Sequence, residues 1–289
     1  YTRFAPLHGL NVQSTWQKTT LAKGSSYSLP GVRDAEGYTF MGWSTKPMQS
    51  VSPQYEAEEK ITVNGNVDLY AVVFNRTTET DLTEDQLPQV DIYKYKQVIF
   101  VGDSRTEFME NVLTGMGESA TKNVKFVCSA GKGLDWFTTT GWAQLYSIVQ
   151  HDSNSILSKK TAVIFNFGVN DLSKSADYAE YYNWIAPQLK SKGCELYFMS
   201  VNPVNRLMLP NAGRADRSEA AVRSFNQYMK ANLSSAYTYI DMYSYLKSTG
   251  YSFASDHYGT GTVDDGLHYT TRTYKRIFAK CMDSLRVPA

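Results

Sequence analysis

The chain has 289 residues, long enough for two domains or for one large one. Hydrophobic residues make up 42% and charged residues 20%, the ordinary balance of a folded soluble protein. Lys and Arg number 29 against 28 Asp and Glu, so overall charge gives no case for nucleic acid or an anionic membrane as partner.

Residues 1–75 read as short strands joined by turns. "SYSLPG" leads to "GYTFMGW", and the segment closes on "VDLYAVVF". Residues 76–95, "RTTETDLTEDQLPQVDIYKY", are polar, Thr-rich and acidic, and read as a linker or an irregular connection. From residue 96 strand and helix alternate. "KQVIFVG", "VKFVCSA", "TAVIFNFG", "CELYFMSVNPV" and "YTYIDMY" are strand candidates. Helical spacing aligns Phe108, Val112 and Met116, then Trp142, Leu145 and Ile148. It also aligns Val222, Phe225 and Met229, and, in a last helix over 271–285, Tyr274, Ile277, Phe278, Cys281 and Leu285. A further helix runs through "DYAEYYNWIAPQLKSKG". Alternating units of this kind predict a parallel sheet covered on both faces, with ligands bound beyond the carboxyl ends of the strands.

Cys128, Cys194 and Cys281 form neither a disulfide framework nor a CxxC metal pattern, and Cys128 and Cys194 read as small buried hydrophobes. No apolar run approaches the ~20 residues of a membrane span. The chain opens at Tyr1 without an initiator Met or a signal peptide, as a processed or trimmed chain would. The 21 tyrosines suit a surface that binds sugars or polymers, although aromatics fill cores just as readily.

Ser104 lies directly after the first α/β strand, in "VIFVGDSRTEF". A serine hydroxyl needs a base, a group to orient that base, and donors for the developing oxyanion. The chain has four histidines, His8, His151, His257 and His268. His268 follows Asp265 by three residues in "VDDGLHYT", a spacing that lets the carboxylate accept Nδ1–H while Nε2 faces outward. Taken alone, this is equally a polar surface loop before a helix. Asn170, in "FGVNDLS", can donate its amide to an oxyanion, or mark an Asn-Asp turn in which Asp171 caps the next helix. "CSAGKGLDW" offers an unobstructed glycine N–H, or is a simple strand-to-helix turn. Asp103 reads as a support of its own turn. The argument lies in the joint order: a Ser, a Gly and an Asn after successive strands, and Asp-x-x-His before the final helix.

In these blocks residues 96–289 resemble the SGNH, or GDSL-like, hydrolase family. "GDSRT", "SAGKGLDW", "GVND" and "DGLH" match its motifs. The resemblance implies a three-layer α/β/α sandwich with a five-stranded parallel sheet of flavodoxin-like order. It implies Ser104 as nucleophile, His268 as base and Asp265 as its orienting partner. The oxyanion hole would comprise Ser104 N–H, Asn170 and Gly133, with Gly131 as the alternative glycine. No metal or organic cofactor is implied. Arg105 departs from the family's Leu. It is a candidate substrate contact or a partner of a nearby carboxylate, and Arg206 raises the same question. Trp136 is a candidate for the acyl pocket, or core. The ordinary α/β-hydrolase elbow G-x-S-x-G is absent around Ser104, as is any HExxH metal motif.

"GYTFMGWSTKP" and "YEAEEKITVNGNVDLYAVVF", within residues 19–74, resemble the Listeria–Bacteroides (internalin B-type) repeat. That resemblance implies a small β-grasp-like domain with Phe40, Trp43 and Tyr70 in its core, and export, as from a Gram-positive bacterium. The division expected is 1–75 repeat-like, 76–95 linker and 96–289 hydrolase. The function expected is a secreted or cell-surface serine esterase that removes acetyl or other small acyl groups from a polysaccharide or cell-wall glycan, with cell-wall association through the N-terminal part. The alternatives are a lipid or lysophospholipid esterase, and a surface-binding protein with an idle hydrolase fold.

Overall fold

The computed structural model describes residues 2–5, 17–49, 51–91, 94–152, 160–209, 217–254 and 264–285. The N-terminal region is β-rich. Strands β1 (Thr2–Ala5), β2 (Gln17–Thr19), β4 (Tyr38–Ser44) and β6 (Val67–Asn75) form a sheet in the order β2-β1-β6-β4. The central pair β1–β6 is parallel and its flanking pairs are antiparallel, the mixed order of a β-grasp-like sheet. Strands β3 (Ser25–Ser28) and β5 (Lys60–Val63) pair as an antiparallel ribbon.

Alternation along β4 and β6 gives this sheet two apolar faces. Phe40, Trp43 and Leu69 pack with Leu29 and Ala57 in a small core beside the ribbon. Tyr70, expected in that core, is only half-buried, because Leu69 takes the inward position and the next residue must point away. Met41, Val72 and Phe74 point to the other side and join the core of the C-terminal region.

The connection that follows is packed. Short 3₁₀ turns at Arg76–Thr78 and Glu84–Gln86 punctuate it, and Leu87 and Val90 are buried in the same large core. Of the linker and the irregular connection that its composition allows, it takes the form of an irregular, packed connection, and Glu79 is buried because Arg276 and neighbouring hydroxyls satisfy its carboxylate.

Strands β7 (Tyr95–Gly102), β8 (Val124–Cys128), β9 (Lys160–Asn166), β10 (Cys194–Met199) and β11 (Tyr237–Ile240) make one parallel sheet, ordered β11-β10-β9-β7-β8. This is flavodoxin-like order, and the chain changes direction of winding between β8 and β9, on either side of β7. The helices are α1 (Ser104–Met116), α2 (Glu118–Thr121), α3 (Leu134–Trp136), α4 (Trp142–Asp152), α5 (Ser175–Ser191), α6 (Glu219–Asn232), α7 (Met242–Thr249) and α8 (Thr271–Ser284). A π-helical turn, Phe137–Gly141, joins α3 to α4. Val98, Phe100 and Ile164 face α1, α7 and α8; Ile99, Val101 and Val163 face α4, α5 and α6. Both faces are thus apolar, which is why the strands read as continuous hydrophobic runs.

Candidate active site

Gly102 pairs in register with Cys128 on β8 and Asn166 on β9, so the loops after all three strands emerge side by side. The first turns at once into α1. Asp103 is the N-cap, and its Oδ1 accepts the Arg105 N–H at 3.0 Å. Burial pushes the Asp103 carboxyl up to about 6, against the opposing pull of the Arg105 charge. This cap supports the turn, as expected, and sets Ser104 as the first residue of the helix. Its N–H therefore belongs to the group of N-terminal amides that have no intrahelical acceptor.

His268 Nε2 stands 3.0 Å from Ser104 Oγ, and Nδ1 stands 2.6 Å from Asp265 Oδ2. Asp265 Oδ1 accepts the backbone N–H groups of Leu267 at 2.9 Å and His268 at 2.8 Å. Burial alone would raise the Asp265 carboxyl, but the hydrogen bonds and charge of His268 outweigh it and bring the group below its ordinary value. An ionised Asp265 is an acceptor only, so Nδ1 carries the proton and Nε2 offers its lone pair to the Ser104 hydroxyl. The Phe108 ring, one helical turn after Ser104, packs on the imidazole at 4.4 Å between centroids. His8 and His257 lie outside the described residues, as does the side chain of His151.

Asn170 follows β9. Its Nδ2 donates to Lys132 O at 2.7 Å, and its Oδ1 accepts from Arg217 Nη2. A guanidinium can only donate, so the orientation of the amide is fixed from both ends. Asp171 does not cap the helical turn that follows it with its own side chain. Its Oδ2 instead accepts Leu134 N–H at 2.8 Å, and its Oδ1 accepts the Tyr178 hydroxyl at 2.7 Å. That carboxylate lies against Gly133, where a Cβ would come within 2.3 Å of Oδ2. Only glycine lets the two loops approach this closely. At Gly131 a Cβ would meet nothing within 4 Å. Gly133 is therefore the glycine locked beside the Asn170 loop.

Arg105 is buried and turned away from the nucleophile. Its Nε donates to Leu267 O at 3.0 Å, Nη1 to Asn202 O at 2.9 Å and Nη2 to Pro203 O at 2.9 Å. The substrate contact weighed for it gives way to a structural bond network, because its guanidinium is committed to three carbonyls, one of them next to His268. Trp136 is half-buried against Phe167 at 6.0 Å between centroids. Arg206 is half-exposed and pairs with Glu58 at 3.5 Å. Cys128 is only partly buried, since it ends β8 at the rim, and its thiol donates to Glu110 at 3.3 Å. Arg217 carries no local sequence signal that marks it, and Asp171, read in sequence as a helix cap, braces the Gly133 loop instead.

Residues 98–281 match the family model of GDSL-like lipase/acylhydrolase. The chain belongs to the GDSL-like lipase/acylhydrolase family. Residues 9–72 match the Listeria-Bacteroides repeat domain. No curated protein matches the chain. Among solved structures, it is similar to an acylhydrolase candidate from Bacteroides fragilis, at 15% identity and TM-score 0.46, over 70% of this chain and 92% of that one. It is similar to an SGNH hydrolase candidate from Slackia heliotrinireducens, at 13% identity and TM-score 0.46, over 67% and 100%. An acetyl xylan esterase is similar at 11% identity and TM-score 0.43, over 66% and 100%. As a GDSL-like acylhydrolase, the protein is an ester hydrolase, and its candidate site lies at the carboxyl edge of β7, β8 and β9. Among the described residues no helix is long and apolar enough to cross a membrane.

Proposed function

We propose that this GDSL-like hydrolase is an extracellular serine esterase that removes acetyl or another small acyl group from a polysaccharide or cell-wall glycan. The observation that carries the chemistry is the unbroken relay from Ser104 Oγ through His268 to Asp265, at 3.0 and 2.6 Å. In this reading Ser104 Oγ attacks the ester carbonyl while His268 Nε2 takes its proton. Asp265 holds the tautomer and stabilises the imidazolium. The oxyanion is met by Ser104 N–H, Gly133 N–H and Asn170 Nδ2. His268 then protonates the leaving alcohol, and water, activated the same way, releases the acid.

The substrate class is supported by the surroundings. Ala130, Gly131, Lys132 and Asp135, beside Asn170, are exposed. Among the described residues, the polar side chains exposed there, Lys132 and Asp135, suit a hydrated alcohol partner better than a lipid chain, which needs apolar cover. The Listeria-Bacteroides repeat match favours an extracellular setting.

The test is a series of aryl esters of increasing acyl length, followed by acetate release from acetylated glycans, with Ser104→Ala as control. Short acyl esters should be preferred and acetate should be released. Rates that climb with chain length would turn the reading towards lipid esters. Full activity in Ser104→Ala would remove Ser104 as nucleophile.

A further inference from the structure

Ser104 and Asn170 are carried by elements of the parallel sheet. Asp265 and His268 are not: they sit on a loop, Asp264–Thr270, between Ala254 and α8, outside every strand of that sheet. Arg105, Asn205 and Ala254 hold this loop directly, and a further tie reaches it from the first 80 residues. Arg76 donates through Nη2 to both Asp34, at 2.6 Å, and Asp264, and through Nε to Thr39 Oγ1 at 2.9 Å. Asp34 has a fully buried side chain. Its Oδ1 accepts Phe40 N–H at 2.9 Å and Asn205 Nδ2 at 2.8 Å. Asn205 Nδ2 also donates to Val32 O at 2.9 Å, while its backbone N–H donates to Gly266 O at 2.8 Å. Asp264 Oδ1 in turn accepts Gly266 N–H at 3.0 Å.

Gly266, between Asp265 and His268, has φ +65°, and a Cβ there would lie 2.3 Å from Asn205 O. Both peptide groups of this glycine are thus gripped by residues tied to the N-terminal region. The far side of the loop is held as well. Ala254 N–H donates to His268 O at 2.9 Å, next to a bridge between Phe253 and Tyr269. Glu79 anchors that bridge by accepting Ser252 Oγ at 2.6 Å and Arg276 Nη1 at 3.0 Å.

We propose that the N-terminal β-rich region is the positioning element of the His268 loop, with Arg76, Asp34 and Asn205 as positioning residues for the base. This rests on the serine-relay reading given above. It assigns the repeat-like region a part in catalysis that a detachable surface anchor would not have. The physical reason is that Arg76 lies between two carboxylates on opposite sides of the interface. Removing it leaves Asp34 and Asp264 facing each other without a cation. Neither carboxylate then has its guanidinium donor, Asp264 is no longer tied through Arg76 to the N-terminal region, and the side that can yield is the loop. A shift of about 1 Å at a catalytic group can cost on the order of 10²-fold in rate.

The experiment uses the full chain and an aryl acetate. Arg76→Ala is expected to lower kcat by about 10- to 100-fold with KM within about twofold, because the Asn170 side is untouched. Arg76→Lys, which keeps a cation, should recover part of the loss. Glu58→Gln, at the same interface but away from the loop, should leave kcat unchanged. The second readout is the low-field NMR resonance of the His268 Nδ1 proton, assigned by its loss in His268→Asn. Arg76→Ala should broaden it through faster solvent exchange, and Arg76→Lys should restore it. If Arg76→Ala does not fold, Asp34→Asn alone replaces it, with a smaller loss of kcat and the same broadening. A wild-type chain inactive on every ester would overturn the serine-esterase reading, and the resonance would still decide the positioning role. Unchanged kcat together with an unchanged resonance in the folded variant would overturn the positioning role.

Discussion

The two halves of the candidate active site are held in different ways. On the serine side, Ser104, Gly133 and Asn170 follow three neighbouring strands, and each is fixed by residues close to it: Asp103 as N-cap, Asp171 against Gly133, Lys132 O against Asn170. On the base side, Asp265 and His268 sit on a loop gripped by Arg105, Asn205, Arg76 and, through the adjoining bridge, Glu79. Arg105 works across both halves, since it starts beside Ser104 and ends on Leu267 O. The sheet brings Ser104, Gly133 and Asn170 to one edge by itself. It cannot by itself place the base, so the base depends on whatever packs against that end of the fold.

The sharpest way to break the comparison is at its centre. Ser104→Ala is expected to reduce kcat on an aryl acetate by ~10⁴- to 10⁶-fold, with substrate still bound. His268→Ala should fall in the same range, and the double variant should be little worse than either, because the pair acts as a unit. Rates measured in the three variants check this, and an additive double loss would sink the shared relay. Asn170→Ala tests the serine side alone. Losing one oxyanion donor should cost about 10²- to 10³-fold in kcat with KM nearly unchanged. Arg217→Ala should do less, about tenfold, as expected for a charged hydrogen bond that only orients the amide. Its effect should vanish when Asn170 is already Ala, and a double-mutant cycle measures that. Independent effects would show that Arg217 acts elsewhere.

Much of the candidate site is legible in the chain, for a physical reason. A strand that ends in Gly-Asp-Ser must turn there, and Asp-x-x-His places a carboxylate within reach of its own imidazole. Such features are local, and alternating strands and helices then bring them to one edge. The rest is non-local. Arg76 meets Asp34 across 42 residues and Asp264 across 188, and Arg217 meets Asn170 across 47. No spacing rule links such pairs. Arg105 and Glu79 show the same limit from another side. A charged residue in sequence suggests solvent or substrate, yet both are buried, because carbonyls in one case and Arg276 with hydroxyls in the other satisfy them. Helix α7 is also hidden in sequence, where "YTYIDMY" reads as strand throughout, while Asp241 stops β11 by capping that helix, its Oδ1 accepting Ser244 N–H at 3.1 Å.

The smallest expected effect concerns pH and stability, and it again separates the two halves. Burial, then the nearby Asp264 charge, pushes Asp34 up to about 7, and these outweigh the Phe40 N–H bond and Arg76. An unfolded Asp ionises near 4. Between about pH 4 and 7 the folded chain therefore holds a proton that the unfolded chain has lost, and stability falls as pH rises through this window. The slope for one such proton is at most about 1.4 kcal/mol per pH unit. Asp103, on the serine side, adds a similar fall that ends near pH 6. Asp265 works the other way: its lowered carboxyl contributes stability that is lost only as pH drops below the ordinary Asp range. Urea midpoints from pH 4.5 to 7.5 should thus decline for the wild type. Asp34→Asn should flatten the decline between pH 6 and 7.5, where Asp103 no longer contributes, and reduce without abolishing the slope below pH 6, where Asp103 still does. An Asp34→Asn chain with the wild-type slope above pH 6 would mean that Asp34 is ionised throughout. Arg76 would then hold two carboxylates at neutral pH, and its loss should cost even more on the base side.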